Sequence, residues 1–373
     1  MVTDAVKKID GKYYSFNAEG RLQKGWASHA EGWYYADPTD GVLQTGWKKL
    51  GSVWYYLDGE NEEYPCLMVQ NDWKKVKNIW YYFDNNGAMV TGWQQVDNTW
   101  YYLNSDGSMA TGWIKVKNVW YYLNNSGAMA TGWQKINGKW YYLKSSGAMA
   151  TGWQKVDGSW YYLNSNGSMA TGWVKVSGKW YYLKSNGAMV TGFHKFANKT
   201  VYYGTDGAMC YGEQRINGKW YYFDKVTGGM ITGIYQLENK TVYYGTDGTM
   251  QYGEQRINNK WYYFAPDKDG AMVTGFYKFS NKTVYYGSDG AMCYGEQIIE
   301  GKTYYFNSVT GALQEKDGWH IDNKNKYYYL NGERVIGEKY ISGKWYYFDP
   351  DKEGAMVTGF YKFSNKTVYY GTD

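Results

Sequence analysis

No stretch of this sequence approaches the roughly 18 consecutive apolar residues that a membrane-crossing helix needs, and the mean hydropathy is −0.67. A helical bilayer span is thereby excluded. The opening MVTDAVKKIDGKYY has no basic segment followed by an apolar core, so no secretory signal is expected in it and export would have to be encoded elsewhere. Charge of one sign is also lacking. The 40 Lys and Arg against 35 Asp and Glu leave a net +5, evenly mixed, without the clustered basic patch that nucleic acid or anionic lipid would require. There are 4 prolines, 3 histidines and 3 cysteines. Cys66, Cys210 and Cys293 are odd in number and have no metal-type spacing. Cys210 and Cys293 both fall in the string AMCYGEQ, so they occupy equivalent places in different repeats and are not expected to meet. His29, His194 and His320 fall in no recurring constellation, and exposed strand or loop positions account for them. Nothing nominates a carboxylate pair for hydrolysis either; Asp206 and Asp247, in GTDG, read as turn residues. No catalytic function, cofactor or metal site is expected.

Aromatic residues are abundant: Phe, Trp and Tyr make up 21% of the chain. They recur with a period. Tyr-Tyr occurs eighteen times, from Tyr13 to Tyr369, and units starting at Thr91, Thr111, Thr131, Thr151 and Thr171 are in strict twenty-residue register. Such repetition predicts a repeat architecture rather than two or three globular domains. Residues 1–90 are irregular, with an insert at GENEEYPC (59–66); residues 91–190 are regular. Residues 191–373 alternate two dissimilar units, TGFHKFANKTVYYGTDGAMC and YGEQRINGKWYYFDKVTGGMI. The final VYYGTD stops where earlier units continue into GAMCYG, which reads as a fragment or truncated frame.

Each unit reads as a β-hairpin. In TGWQKINGKWYYL, two strand-like runs flank Asn137-Gly138, a strong signal for a two-residue turn, and Asp157-Gly158 and Asn217-Gly218 do the same. That turn fixes the faces: Trp133, Lys135, Trp140 and Tyr142 share one side, and Ile136, Tyr141 and Leu143 share the other. The second set suits a core on which hairpins stack. The first is surplus aromatic surface, with a methionine after each turn (Met89, Met109, Met129, Met149, Met169, Met189). Two Trp, a Tyr and a thioether suit a quaternary ammonium, which has no hydrogen-bond donors and gains from π faces and desolvation. A purely structural aromatic ladder, acting as a repeat spacer, is the other reading.

The pattern TGW, seven residues on to WYYL, then SNGAMATG resembles the cell-wall-binding repeat of the choline-binding proteins of Gram-positive bacteria and their phage lysins. The resemblance implies an all-β, elongated left-handed β-solenoid of about eighteen stacked hairpins, extracellular and attached to the cell wall. Its implied partner is the choline of teichoic or lipoteichoic acid, caged by two Trp of one hairpin, an aromatic of the next and a nearby Met. Carried onto this chain, the cages are Trp93 and Trp100 with Tyr122 and Met109, and Trp113 and Trp120 with Tyr142 and Met129. Trp133 and Trp140 follow with Met149 and Tyr162, Trp153 and Trp160 with Met169 and Tyr182, and Trp173 and Trp180 with Met189. The second Tyr of WYY is preferred on the face argument.

The C-terminal units depart from this pattern. Glu213, Glu254 and Glu296 stand in place of the first Trp, and Val201, Val242 and Val284 are read as replacing the second. Phe193 or Phe276 with Trp220 or Trp261 would make a weaker cage there. These units also resemble the glucan-binding repeats of extracellular glucansucrases, so glucan is the alternative ligand. An ion pair of Glu213 with Arg215 is the structural alternative.

Overall fold

In the computed structural model, which describes residues 3–314, 317–322, 324–330 and 333–372, every Tyr-Tyr pair sits in the second strand of an antiparallel hairpin. The described residues form eighteen such hairpins, five of the first nine strand pairs being those of the regular units, and the fold is all-β, built of repeated antiparallel hairpins. The only helical turns among them are the short 3-10 segments Pro266–Lys268 and Pro350–Lys352. Among the described residues no helix is long and apolar enough to cross a membrane.

The turn chemistry explains the hairpins. Asn137 and Gly138 have φ of 48° and 79°, the paired left-handed conformation that a two-residue turn with the right strand twist demands. The strands Gly132–Ile136 and Lys139–Leu143 then pair with Trp133 opposite Tyr142, Gln134 opposite Tyr141 and Lys135 opposite Trp140, as the turn predicts. On the inner face Leu103, Leu123, Leu143, Leu163 and Leu183 are wholly buried. Each such burial is worth about 1.5–3 kcal/mol, which an isolated hairpin could not obtain.

Stacking is fixed by a backbone bond between consecutive hairpins. The Met149 N–H, in the loop after one hairpin, donates to the Trp120 carbonyl of the hairpin before it at 2.8 Å, and Met129 does the same to Trp100. Behind Met89, Met109, Met129, Met149 and Met169 the next loop comes so close that only glycine fits: a Cβ on Gly167 would lie 2.2 Å from Met149 Sδ, and its φ is +82°.

Contacts divide the chain into two units, Met1–Val190 and Thr191–Asp373. In the first, the 59–66 insert is absorbed without loss of register. Leu57 pairs with Met68 as Leu143 bridges Met149. Cys66, at the end of the insert, is buried, and burial pushes its thiol up to about 11. No disulfide links the described cysteines.

The second unit corrects one expectation. Gly192 pairs with Tyr203, Phe193 with Tyr202, His194 with Val201 and Lys195 with Thr200. Threonine, not valine, therefore stands at the second Trp position, at Thr200, Thr241 and Thr283, each opposite the residue that matches Lys135. Val201, Val242 and Val284 instead replace the inner tyrosine and are wholly buried. Aligning on Tyr-Tyr slipped these units by one residue. In a strand such a slip exchanges the two faces.

Candidate ligand cages between hairpins

The outer face of a regular hairpin presents two indoles at right angles. Trp113 and Trp120 have ring centroids 6.4 Å apart and planes at 89°. The third wall comes from the next hairpin: Tyr141 lies 5.0 Å from Trp113. Met149 and the loop residues Ser165 and Asn166 complete a groove of about 310 Å³. One groove thus draws on three consecutive hairpins. The same set recurs with Trp47, Trp54, Tyr81 and Met89, rimmed by Ser105 and Asp106, at about 380 Å³.

The sequence expectation grouped these residues differently in two respects. Tyr122, Tyr142, Tyr162 and Tyr182 each lie against the first Trp of their own hairpin, with centroids 5.2, 5.1, 5.1 and 5.3 Å from Trp113, Trp133, Trp153 and Trp173. The tyrosine that reaches the preceding hairpin is the first of the pair. Tyr121, Tyr161 and Tyr181 stand 4.9, 4.8 and 4.8 Å from Trp93, Trp133 and Trp153. A hairpin turns its inner face toward the groove of its predecessor, so an inner tyrosine closes that groove. The methionines move by one step for the same reason. Met109 bonds to Trp80, Met129 to Trp100, Met149 to Trp120, Met169 to Trp140 and Met189 to Trp160. Trp173 and Trp180 keep the edge-to-face pairing at 6.3 Å.

Three pairs of tryptophans were missed in the irregular region. Trp26 with Trp33 lines a groove with Tyr55 and Met68, of about 380 Å³. Trp47 with Trp54 forms the groove described above, and Trp73 stands 4.9 Å from Tyr101 while Trp80 accepts the Met109 bond. The signal was in the sequence: each pair has the seven-residue Trp spacing of Trp133 and Trp140.

A lysine directly opposite the second Trp of a hairpin lies beside that ring without lining the groove. Lys115 Nζ lies 5.8 Å from the Trp120 ring centroid, and Lys49 lies 5.5 Å from that of Trp54. Trp120 is 41% exposed, so its ring is open to a ligand cation as well. At the rim of one groove Asp106 adds a negative charge. The hydroxyl and amide of Ser108 hold its carboxyl below the usual range, so it is ionised at neutral pH.

The second unit builds the groove otherwise. Glu213 occupies the first Trp position, Trp220 keeps the second, and Met250 and Tyr252 line the groove together with Lys240 and Asp269, at about 170 Å³. Arg215 sits over Trp220 at 6.0 Å, and the equivalent glutamate Glu254 takes its partner from the next hairpin, Lys282, at 3.2 Å. Phe193 and Phe276 do not pair with Trp220 and Trp261. They stand 5.2 and 5.0 Å from Tyr221 and Tyr304, which belong to the opposite face of their strands.

The histidines hold one surprise. His29 is buried to 3% side-chain exposure, with Nε2 2.7 Å from Ser15 Oγ and Nδ1 3.2 Å from Asp4 Oδ1. A Ser, a His and an Asp in line have the form of a hydrolytic triad. However, Ser15 is wholly buried and donates its own proton to Gln23 Oε1 at 2.5 Å, so no substrate reaches the hydroxyl. Ser15 and His29 form a satisfied buried polar pair, which the exposed Asp4 meets from the surface. Among the described residues no group of His, Cys, Asp and Glu could hold a metal ion.

Aromatic grooves repeated between stacked hairpins define a class of repeat modules, and the comparisons with known proteins give that class its family. The family model of the choline-binding repeat matches residues 70–110, 90–131, 130–163, 150–192, 190–233, 231–274 and 273–319. A second model, for a cell wall binding repeat, matches residues 45–60 and 339–351. The chain belongs to the choline-binding repeat family. Among solved structures it is similar to choline binding protein F of Streptococcus pneumoniae, at 28% identity over 65% of this chain and 98% of that one, with a TM-score of 0.48. The choline-binding domain of CbpL from the same organism is 34% identical over 52% of this chain and all 100% of its own, with a TM-score of 0.39. No curated protein matches the chain.

Proposed function

We propose that the chain is a non-catalytic wall-binding module that holds choline groups of teichoic or lipoteichoic acid between successive hairpins of residues 1–190. The observation that carries this reading is the groove of Trp113, Trp120, Tyr141 and Met149. Three aromatic faces and a thioether suit a trimethylammonium group, which offers no donor that would need a buried acceptor. Site residues in this reading are Trp93, Trp100, Tyr121 and Met129, then Trp113, Trp120, Tyr141 and Met149, and the corresponding sets before and after them. Residues 1–90 and 91–190 act alike, and residues 191–373 form a separate functional region. The protein works at the cell surface, where several weak sites acting together give lasting attachment.

The test is retention on an immobilised quaternary amine. The full chain should bind and elute with free choline, and failure of choline to elute it would refute the reading. Glucan is the second reading for residues 191–373, favoured by the exposed rings of Trp220 (39%) and Trp261 (38%) beside polar groups. Binding to immobilised glucan that free choline does not disturb would support it.

A further inference from the structure

The second unit contains a repeated exchange that the family assignment does not explain. Wherever glutamate replaces the first Trp of a groove, a cation from a later segment of the chain enters that groove or pairs with the glutamate. Lys282 lies 3.2 Å from Glu254, and Lys366 lies 3.5 Å from Glu338. Lys240 enters the groove of Glu213 and donates to the Asp269 carbonyl at 2.9 Å. The fourth groove is the most telling. Asn325 stands where its sister hairpins carry that lysine, four residues before the buried tyrosine, and there Arg334 bonds Glu296 instead. One position lost its cation, and another residue supplies it.

These cations occupy the place that a ligand would take in the first unit. Glu213, Trp220, Met250 and Asp269 sit at the positions of Trp113, Trp120, Met149 and the Ser165-Asn166 rim, and the remaining space is about 170 Å³ against about 310 Å³. In the regular units the matching lysines, Lys139 and Lys179, are exposed, whereas Lys240 and Lys282 are partly buried.

We propose that the glutamate grooves of residues 191–373 are choline-type sites filled by the protein's own cation, so that Lys240, Lys282, Arg334 and Lys366 hold these joints closed without ligand and keep quaternary ammonium out. Removing one ammonium exposes a carboxylate, an indole and a tyrosine ring, which is a receptor for a trimethylammonium ion. The inference rests on the cages of the first unit binding choline. It concerns a different set of residues.

The experiment is equilibrium dialysis of the full chain against saturating choline, with wild type, Lys240→Ala, Lys240→Arg and Lys240→Ala combined with Glu213→Gln. Lys240→Ala should bind one mole more choline per mole of chain than wild type. Lys240→Arg should bind the wild-type amount, and the double variant should lose the added site. Trp220→Ala in the otherwise native chain should leave the stoichiometry unchanged, because that groove holds no choline. An unchanged count for Lys240→Ala with native circular dichroism would overturn the proposal, as would a lower count for Trp220→Ala. If wild type binds no choline at all, the reading of the first unit fails; a single mole bound by Lys240→Ala would then still support the built-in cation, and none would overturn it.

Discussion

Replacing Trp120 by Ala should remove one choline site and leave the rest of the array at work. Trp120 forms one of two perpendicular walls, 6.4 Å from Trp113, and is 41% exposed. Its share of a cation-π cage lies between the exposed limit of about 0.5 kcal/mol and the desolvated value of about 2 kcal/mol. At 1.4 kcal/mol per tenfold, a loss of about 1–2 kcal/mol weakens that site roughly 5- to 30-fold. Folding should suffer little, since the residue is 41% exposed and a cross-strand aromatic pair contributes only about 0.2–1 kcal/mol. The complete grooves of the first unit begin at Trp26, Trp47, Trp73, Trp93, Trp113, Trp133 and Trp153, which makes seven. Equilibrium dialysis at a choline concentration just sufficient to fill the wild-type sites should therefore register about one fewer ligand bound. Undiminished binding in a natively folded variant would refute the cage, and loss of several sites at once would refute its independence.

The choice of tyrosine is tested by a pair of variants: Tyr141→Ala should weaken the Trp113 groove, whereas Tyr142→Ala should leave that groove intact and disturb the one bounded by Trp133, as read by the indole resonances of the two tryptophans. Gly167→Ala adds a Cβ 2.2 Å from Met149 Sδ at a φ of +82°, so it should lower the thermal midpoint, by more than about 1 kcal/mol in stability, and reduce occupancy of the same groove. Arg334→Ala strips Glu296 and the Tyr329 hydroxyl of a shared partner and should cost about 1.5–3 kcal/mol in denaturant titration, with Arg334→Lys recovering part of it. Alkaline pH should loosen the first unit. Burial, and secondarily Glu31, raise Tyr34 from its ordinary value of 10.0 to about 12, so the folded state holds that proton more tightly than the unfolded one. The associated stability is present below pH 10 and is lost between 10 and about 12, which a thermal midpoint flat across that window would contradict.

Much of the fold was legible because a two-residue turn is a strong local constraint. Asn137-Gly138 fixes the register, the register fixes the faces, and the observed pairing of Lys135 with Trp140 follows. The identity of the third wall was not legible. Alternation along a strand says that Tyr141 and Tyr142 point opposite ways, but it does not say which face the next hairpin offers to its predecessor. That depends on how hairpins stack, which is a property of the Met149 to Trp120 bond and of the close loop at Gly167. Sequence proximity misled again for methionine. Met109 follows the Trp93 hairpin in the chain and yet serves the one before it. In the second unit the conspicuous Tyr-Tyr pair was the wrong anchor, and counting from Gly192 would have placed Thr200 opposite Lys195. His29 was misjudged because its burial comes from contacts with Ser15 and Asp4, 14 and 25 residues away, which no local pattern encodes.

In a stacked array each repeat contacts only its neighbours, so stability is a sum of terms at successive joints. The two units strengthen those joints by different means. In the first, a groove spans three hairpins, so a ligand bound in it links all three and adds a stabilisation that grows as the logarithm of ligand concentration over Kd. In the second, Lys282 on Glu254 and Lys366 on Glu338 make the corresponding link with no ligand. Such part-exposed pairs are individually weak, at about 0–1 kcal/mol each. They are nevertheless always present, because the lysine is tethered at the site. Choline should therefore raise the unfolding temperature of the first unit and leave that of the second nearly fixed, with two calorimetric transitions moving apart as choline is added. A uniform shift of both transitions would mean that the glutamate grooves take ligand after all, and that the alternation of units has no such division behind it.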